Sequence, residues 1–87
     1  MYSLLFKSSW KKDIRKIDRQ FVQRVNKKVF ELKNDPFPRG ALPVSQVPGL
    51  TRIWVGSSYR VIYAVDKNKK TVTAIHVYSK DNNTYKF

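Results

Sequence analysis

Apolar residues in the first third of the chain recur in steps of three and four, at Trp10, Ile14, Ile17, Phe21, Val25, Val29 and Leu32. That spacing is the mark of an amphipathic helix. The intervening faces carry Lys11, Lys12, Arg15, Lys16, Arg19, Arg24, Lys27, Lys28 and Lys33. One unbroken helix through this run, at about 1.5 Å of rise per residue, would overhang a small domain. Asp18 stands mid-run, where its carboxylate can cap a second helix, so the pattern predicts a hairpin over 9–17 and 19–33. Ser8 or Ser9 can cap the first helix, and residues 2–7 before it form a short β-prone run.

Asp35-Pro36-Phe37-Pro38-Arg39-Gly40 ends the helical pattern, because two prolines and a glycine cannot continue it. Residues 41–49 read as a turn-rich connection with enough apolar side chains to pack down. Beyond them the period changes from helical to alternating. Leu50–Val55, Tyr59–Val65 and Thr71–Tyr78 read as strands, joined by turns at Gly56-Ser57-Ser58 and 66–70. The expected fold is α+β in the order βααβββ, with two N-terminal helices packed on a small antiparallel sheet, forming one domain over 1–87.

Alternation also divides the strand faces. Arg52 and Trp54 share one face of their strand, opposite Ile53 and Val55. Arg60, Ile62 and Ala64 lie opposite Tyr59, Val61, Tyr63 and Val65. An arginine inside so hydrophobic a strand must find water, a carboxylate or another anion.

Composition narrows the chemistry. Eighteen Lys and Arg against six Asp and Glu give a formal net charge of +12 over 87 residues. A phosphate-rich partner relieves that self-repulsion through counterion release; an acidic protein or an anionic membrane surface would relieve it too. The absence of cysteine excludes disulfides and cysteine-based zinc sites and fits a cytoplasmic location. The N-terminal apolar run is too short for a signal peptide or a membrane span, so a soluble, unexported protein is expected.

The better-known catalytic sets are missing. The one histidine, His76, lies mid-strand, the acids fall mostly on helices and turns, and three glycines make no phosphate loop. If the chain is an enzyme, its catalysts are cations and aromatics. Cations of this kind suit RNA cleavage by the 2′-hydroxyl, which needs a dianionic phosphorane-like state stabilised. A lysine with a lowered pKa can move the protons.

The element order, the proline-rich connection and the stretch Leu50–Tyr63, LTRIWVGSSYRVIY, resemble the RelE/ParE toxins of type II toxin–antitoxin systems. Their core reads approximately x-[KR]-I-x-x-x-x-x-x-Y-R-[LVI]-[VI]-Y. The most specific piece here is Tyr59-Arg60-Val61-Ile62-Tyr63. For the RelE-like branch the resemblance implies a ribosome-dependent, metal-independent mRNA endonuclease that arrests translation in the A site. It implies catalytic roles for Arg60, for Arg52 one strand earlier, for Lys80 after the last strand and for a C-terminal aromatic, Tyr85 or Phe87. Where RelE-type enzymes carry a second lysine this chain has Trp54, which can stack on a base but cannot move a proton. That departure favours the alternative, a ParE-like inhibitor of DNA gyrase without nuclease activity. His76 is a candidate substrate contact or a structural hydrogen-bonding residue, and Lys11, Lys12, Lys27 and Lys28 are candidate phosphate contacts to ribosomal RNA. The resemblance also implies an acidic antitoxin docking on an exposed apolar face, a monomeric free toxin and a hetero-oligomeric complex. No cofactor or membrane partner is expected.

Overall fold

The computed structural model describes residues 1–79. Strand β1 (Ser3–Phe6) leads into α1 (Ser8–Ile14) and α2 (Arg19–Glu31), followed by β2 (Leu42–Pro43), β3 (Leu50–Val55), β4 (Tyr59–Asp66) and β5 (Thr71–Ser79). The five strands form one sheet in the order β1-β5-β4-β3-β2. This is the expected α+β architecture of two helices on a sheet, with two differences. The sheet is mixed rather than wholly antiparallel, because β1 pairs parallel with β5, Ser3 opposite Thr71 and Phe6 opposite Ala74. The 41–49 connection also contributes a two-residue strand, with Leu42 opposite Arg52.

The helices bury their periodic stripe against one face of the sheet. Trp10, Ile17, Val25, Val29 and Leu32 pack with Ile53, Val55, Tyr59, Val61, Tyr63, Val72, Ala74 and Val77 in one cluster. At Asp18 the backbone leaves the helical region and the side chain accepts from the Gln20 amide, 3.3 Å away, so the predicted helix break and cap are both present. The serine cap is not: Lys7 occupies the N-cap position of α1, with no side-chain hydrogen bond. The Ser9 hydroxyl is used elsewhere, donating to the Ile75 carbonyl at 2.6 Å.

That bond belongs to a clamp. β1 stops opposite Ala74, and beyond it the outer edge of β5 is taken over by α1. Ser9 and Asp13, four residues apart and so on one helix face, meet the strand backbone. Ser9 donates to Ile75, and Asp13 Oδ2 accepts from the Val77 amide at 3.2 Å. The helix thereby supplies ladder partners that a strand would otherwise provide. At the opposite side of the core, the Tyr63 hydroxyl donates to the Pro36 carbonyl at 2.7 Å, tying the proline-rich connection to the sheet. Burial, reinforced by the charge of Asp35, pushes this phenol up to about 12.

Candidate functional site

The face of the sheet away from the helices is built from the alternate residues of the same strands. Register places Trp54, Arg60 and Tyr78 side by side on β3, β4 and β5. The adjacent row is Arg52, Ile62 and His76. A bulge between Ile62 and Tyr63 restores the alternation, so that Ala74 returns to the core while His76 and Tyr78 stay on the open side.

Arg60 is the centre of this arrangement. Its guanidinium carbon sits 4.4 Å from the Trp54 ring centroid and 6.0 Å from that of Tyr78, within cation–π range of both. The side chain is half-buried, and its Nε is buried with no hydrogen-bond partner among the described residues. A desolvated N–H left without an acceptor is costly to the fold, and the exposed part of this half-buried guanidinium is suited to meeting an anionic oxygen. Arg52 is half-buried one row away and adds a second fixed cation, while Trp54 is 38% exposed and leaves ring surface for a stacking partner.

His76 has a definite partner. Its Nδ1 lies 2.8 Å from Asp13 Oδ2, the carboxylate oxygen that also accepts from the Val77 amide. The Asp13 side chain is 6% exposed and that of His76 23%. The imidazole therefore joins the α1 clamp as well as standing in the Arg52 row. No group of three His, Asp or Glu side chains that could hold a metal ion gathers among the described residues.

The predicted site residues thus separate. Arg52, Trp54, Arg60 and His76 come together on the open face. Lys27 and Lys28 lie on α2, across the sheet from Arg60, and Lys11 and Lys12 on α1 along the β5 edge. Lys80, Tyr85 and Phe87 lie outside the described residues. Two partners escaped the sequence reading although signals for them existed. Tyr78 stands two positions after His76 in an alternating strand, and Asp13 sits three after Trp10 and four before Ile17, an acid on the apolar stripe.

Comparison with known proteins agrees with this fold. Among solved structures, the isolated RelE toxin of E. coli shares 25% identity over 97% of this chain and 89% of its own, with a TM-score of 0.77. A RelBE toxin–antitoxin complex from Mycobacterium tuberculosis superposes with a TM-score of 0.79 at 23% identity, covering 91% of this chain and 98% of that one. A YoeB/ParE toxin from Agrobacterium tumefaciens does so at 0.74 with 19% identity, over 88% and 96%. No curated protein sequence matches. The family model for the ParE toxin of type II toxin–antitoxin systems matches residues 1–83, and the chain accordingly belongs to that family, within the RelE/ParE superfamily of toxins.

Proposed function

We propose that this toxin is a ribosome-dependent mRNA endonuclease that inhibits translation by cutting message in the A site. The observation that carries the reading is Arg60, a half-buried cation whose Nε has no hydrogen-bond partner among the described residues, held between Trp54 and Tyr78 beside Arg52. In this reaction the RNA 2′-oxygen attacks the adjacent phosphorus as its proton leaves. The P–O5′ bond breaks, and the 5′-oxygen takes up a proton. Arg60 and Arg52 would stabilise the charge gathered on the non-bridging oxygens, an effect worth about 10²–10³ in rate for one such donor. Trp54 would stack on a base and hold the nucleotide in line. Lys80 and Tyr85 would serve proton transfer and positioning, with His76 as a further contact to the substrate. Lys11, Lys12, Lys27 and Lys28, on the helices, would meet ribosomal RNA phosphates. Programmed ribosomes incubated with the purified toxin give the test. Cleavage at the A-site codon that collapses in Arg60→Ala is expected, and cleavage undiminished by that substitution would refute the assignment.

A second reading, inhibition of DNA gyrase without nuclease activity, draws on Trp54 standing where RelE-type enzymes carry a lysine and on the match to the ParE family. Growth arrest with intact message and an induced DNA-damage response would favour it.

Under either reading the partner is an acidic antitoxin, attracted by the net charge of +12. The edge strand β1 and α2 flank a groove of about 680 Å³ lined in part by Met1, Leu4, Phe6, Phe30 and Lys33. Met1, Phe6 and Phe30 are 83%, 44% and 60% exposed, which suits an antitoxin segment bearing apolar anchors. The toxin would work in the cytoplasm, monomeric when free and hetero-oligomeric with its antitoxin. Among the described residues no helix is long and apolar enough to cross a membrane.

A further inference from the structure

The open face does not end at Arg52 and Ile62. The next register row brings together Leu50, Ala64, Thr73 and Leu5, and beyond it lie Asp66, Thr71 and Ser3. Leu5, Ala64, Asp66, Thr71 and Thr73 of these rows line a broad channel of about 680 Å³ that reaches the β4–β5 turn, where Lys67 and Lys69 stand at its rim. The floor is shallow and mixed: Leu5 is 50% exposed, Ala64 is half-buried, and the half-buried Thr71 and Thr73 carry hydroxyls.

The turn itself concentrates cations. Lys67, Lys69 and Lys70 are all exposed, and Lys70 has φ 54°, a left-handed conformation that glycine or asparagine adopts more readily. The turn's one acid holds the turn closed. Asp66 Oδ1 accepts from the amides of Asn68 and Lys69, each at 3.0 Å, so its charge is partly engaged in closing the turn.

We propose that this channel is a binding track for single-stranded RNA, continuous with the Arg60 site and holding the nucleotides that flank the scissile one. The inference rests on the ribonuclease reading and gives its substrate a path. From Arg60 to Asp66 the strand runs about 20 Å, room for several extended nucleotides. Successive rows on one face are about 7 Å apart, and the track passes from stacking aromatics and fixed arginines, over hydroxyls and small apolar side chains, to phosphate-binding lysines. An acidic peptide is the rival occupant of a basic face. The groove between β1 and α2 fits a peptide better, having three large exposed apolar side chains where the channel has Leu5 alone.

The test measures binding rather than cutting. A fluorescent 2′-O-methyl oligoribonucleotide of about twelve nucleotides, within the range that single-strand sites cover, is titrated with the full-length toxin at several salt concentrations. Each lysine neutralising a phosphate of a single strand contributes about 0.7 to the slope of log affinity against log salt. Lys67→Gln/Lys69→Gln should therefore flatten the slope by about 1.4. Between 50 and 200 mM salt the wild type should then lose about seven-fold more affinity than the variant. Arg15→Gln/Arg19→Gln, which removes the same charge from the helical layer, should leave the slope near the wild-type value. Equal slopes for the wild type and the Lys67/Lys69 variant would overturn the track, as would an equal flattening by both double variants. The same titration with oligoglutamate covers the rival: a Lys67/Lys69 effect confined to that probe would make the face a peptide site. Failure of the ribonuclease reading is a separate result, seen as intact message on programmed ribosomes whatever the slopes are.

Discussion

The two faces of this sheet are made by the same strands and, apart from the buried Ile62 on the open side, have little else in common. On the helix side Val61 and Tyr63 are fully buried, and Val55 and Ile53 nearly so. On the other side their immediate neighbours are Arg60, Arg52 and Trp54, partly exposed and charged or aromatic. A one-residue change of register would exchange the two sets, so the burial of the first fixes the presentation of the second. The core face supplies stability and holds the open face in shape, while the open face accepts a strain that the core offsets. Arg60, whose desolvated Nε has no partner among the described residues, is where that strain is most visible.

If this division of labour is right, substitutions on the two faces should separate stability from activity. The largest effect should come from Leu32→Ala, deep in the helix-side core and 1% exposed. A loss of about 2–5 kcal/mol is expected in denaturant unfolding, with RNA cleavage per folded molecule retained. Arg60→Ala should do the reverse, losing about 10²–10³ in cleavage rate while the unfolding midpoint stays level or rises. An unfolding free energy that falls by several kcal/mol with Arg60→Ala would mean that the arginine is structural and that the two faces do not divide the work. Asp13→Ala should cost about 1–3 kcal/mol, because the buried Val77 amide loses its acceptor and His76 its partner.

Tyr63, on the helix side, makes the stability of that face depend on pH. Its phenol is neutral in the fold and is raised from 10.0 to about 12, so above pH 10 the unfolded chain binds fewer protons than the native one. The stabilisation is complete below pH 10 and is lost as pH rises through 12, a total of about 2–3 kcal/mol for two units. Near neutrality Tyr63→Phe should lose only about 1 kcal/mol for the bond to Pro36. The variant's disadvantage should shrink and then reverse between pH 10 and 12, in parallel unfolding titrations of the two proteins. A constant gap across that range would show that the phenol is not held neutral by burial.

Much of this plan is legible in residue order, for local reasons. Strand β3 runs over Leu50–Val55 as alternation predicts, Asp18 breaks the helices, and Arg52, Trp54 and Arg60 fall on one side of the sheet because period two forces them there. The RelE/ParE resemblance rests on β3 and β4 together, most specifically on Tyr59–Tyr63 of β4. What escapes the sequence is non-local. Nothing near Leu4 indicates that its strand will lie parallel to Val72, and nothing near Asp13 names the Val77 amide and the His76 ring as its partners. Ser9 reads as a helix cap because caps are local, yet its hydroxyl serves a strand that comes more than sixty positions later.

The parallel pairing of β1 with β5 has a consequence for when the molecule acquires its properties. The first strand made must wait for the last of the described strands before the sheet closes, since Ser3–Phe6 dock on Thr71–Ala74. Such high contact order slows folding and leaves apolar surface unprotected on the nascent chain. It also delays the open face, because Tyr78 and His76 arrive with that same final strand. A chain still short of β5 has Arg60 without Tyr78 beside it and no completed sheet to hold it in place. Toxicity should therefore appear only when synthesis of the described fold is nearly finished, which leaves most of translation as a harmless interval.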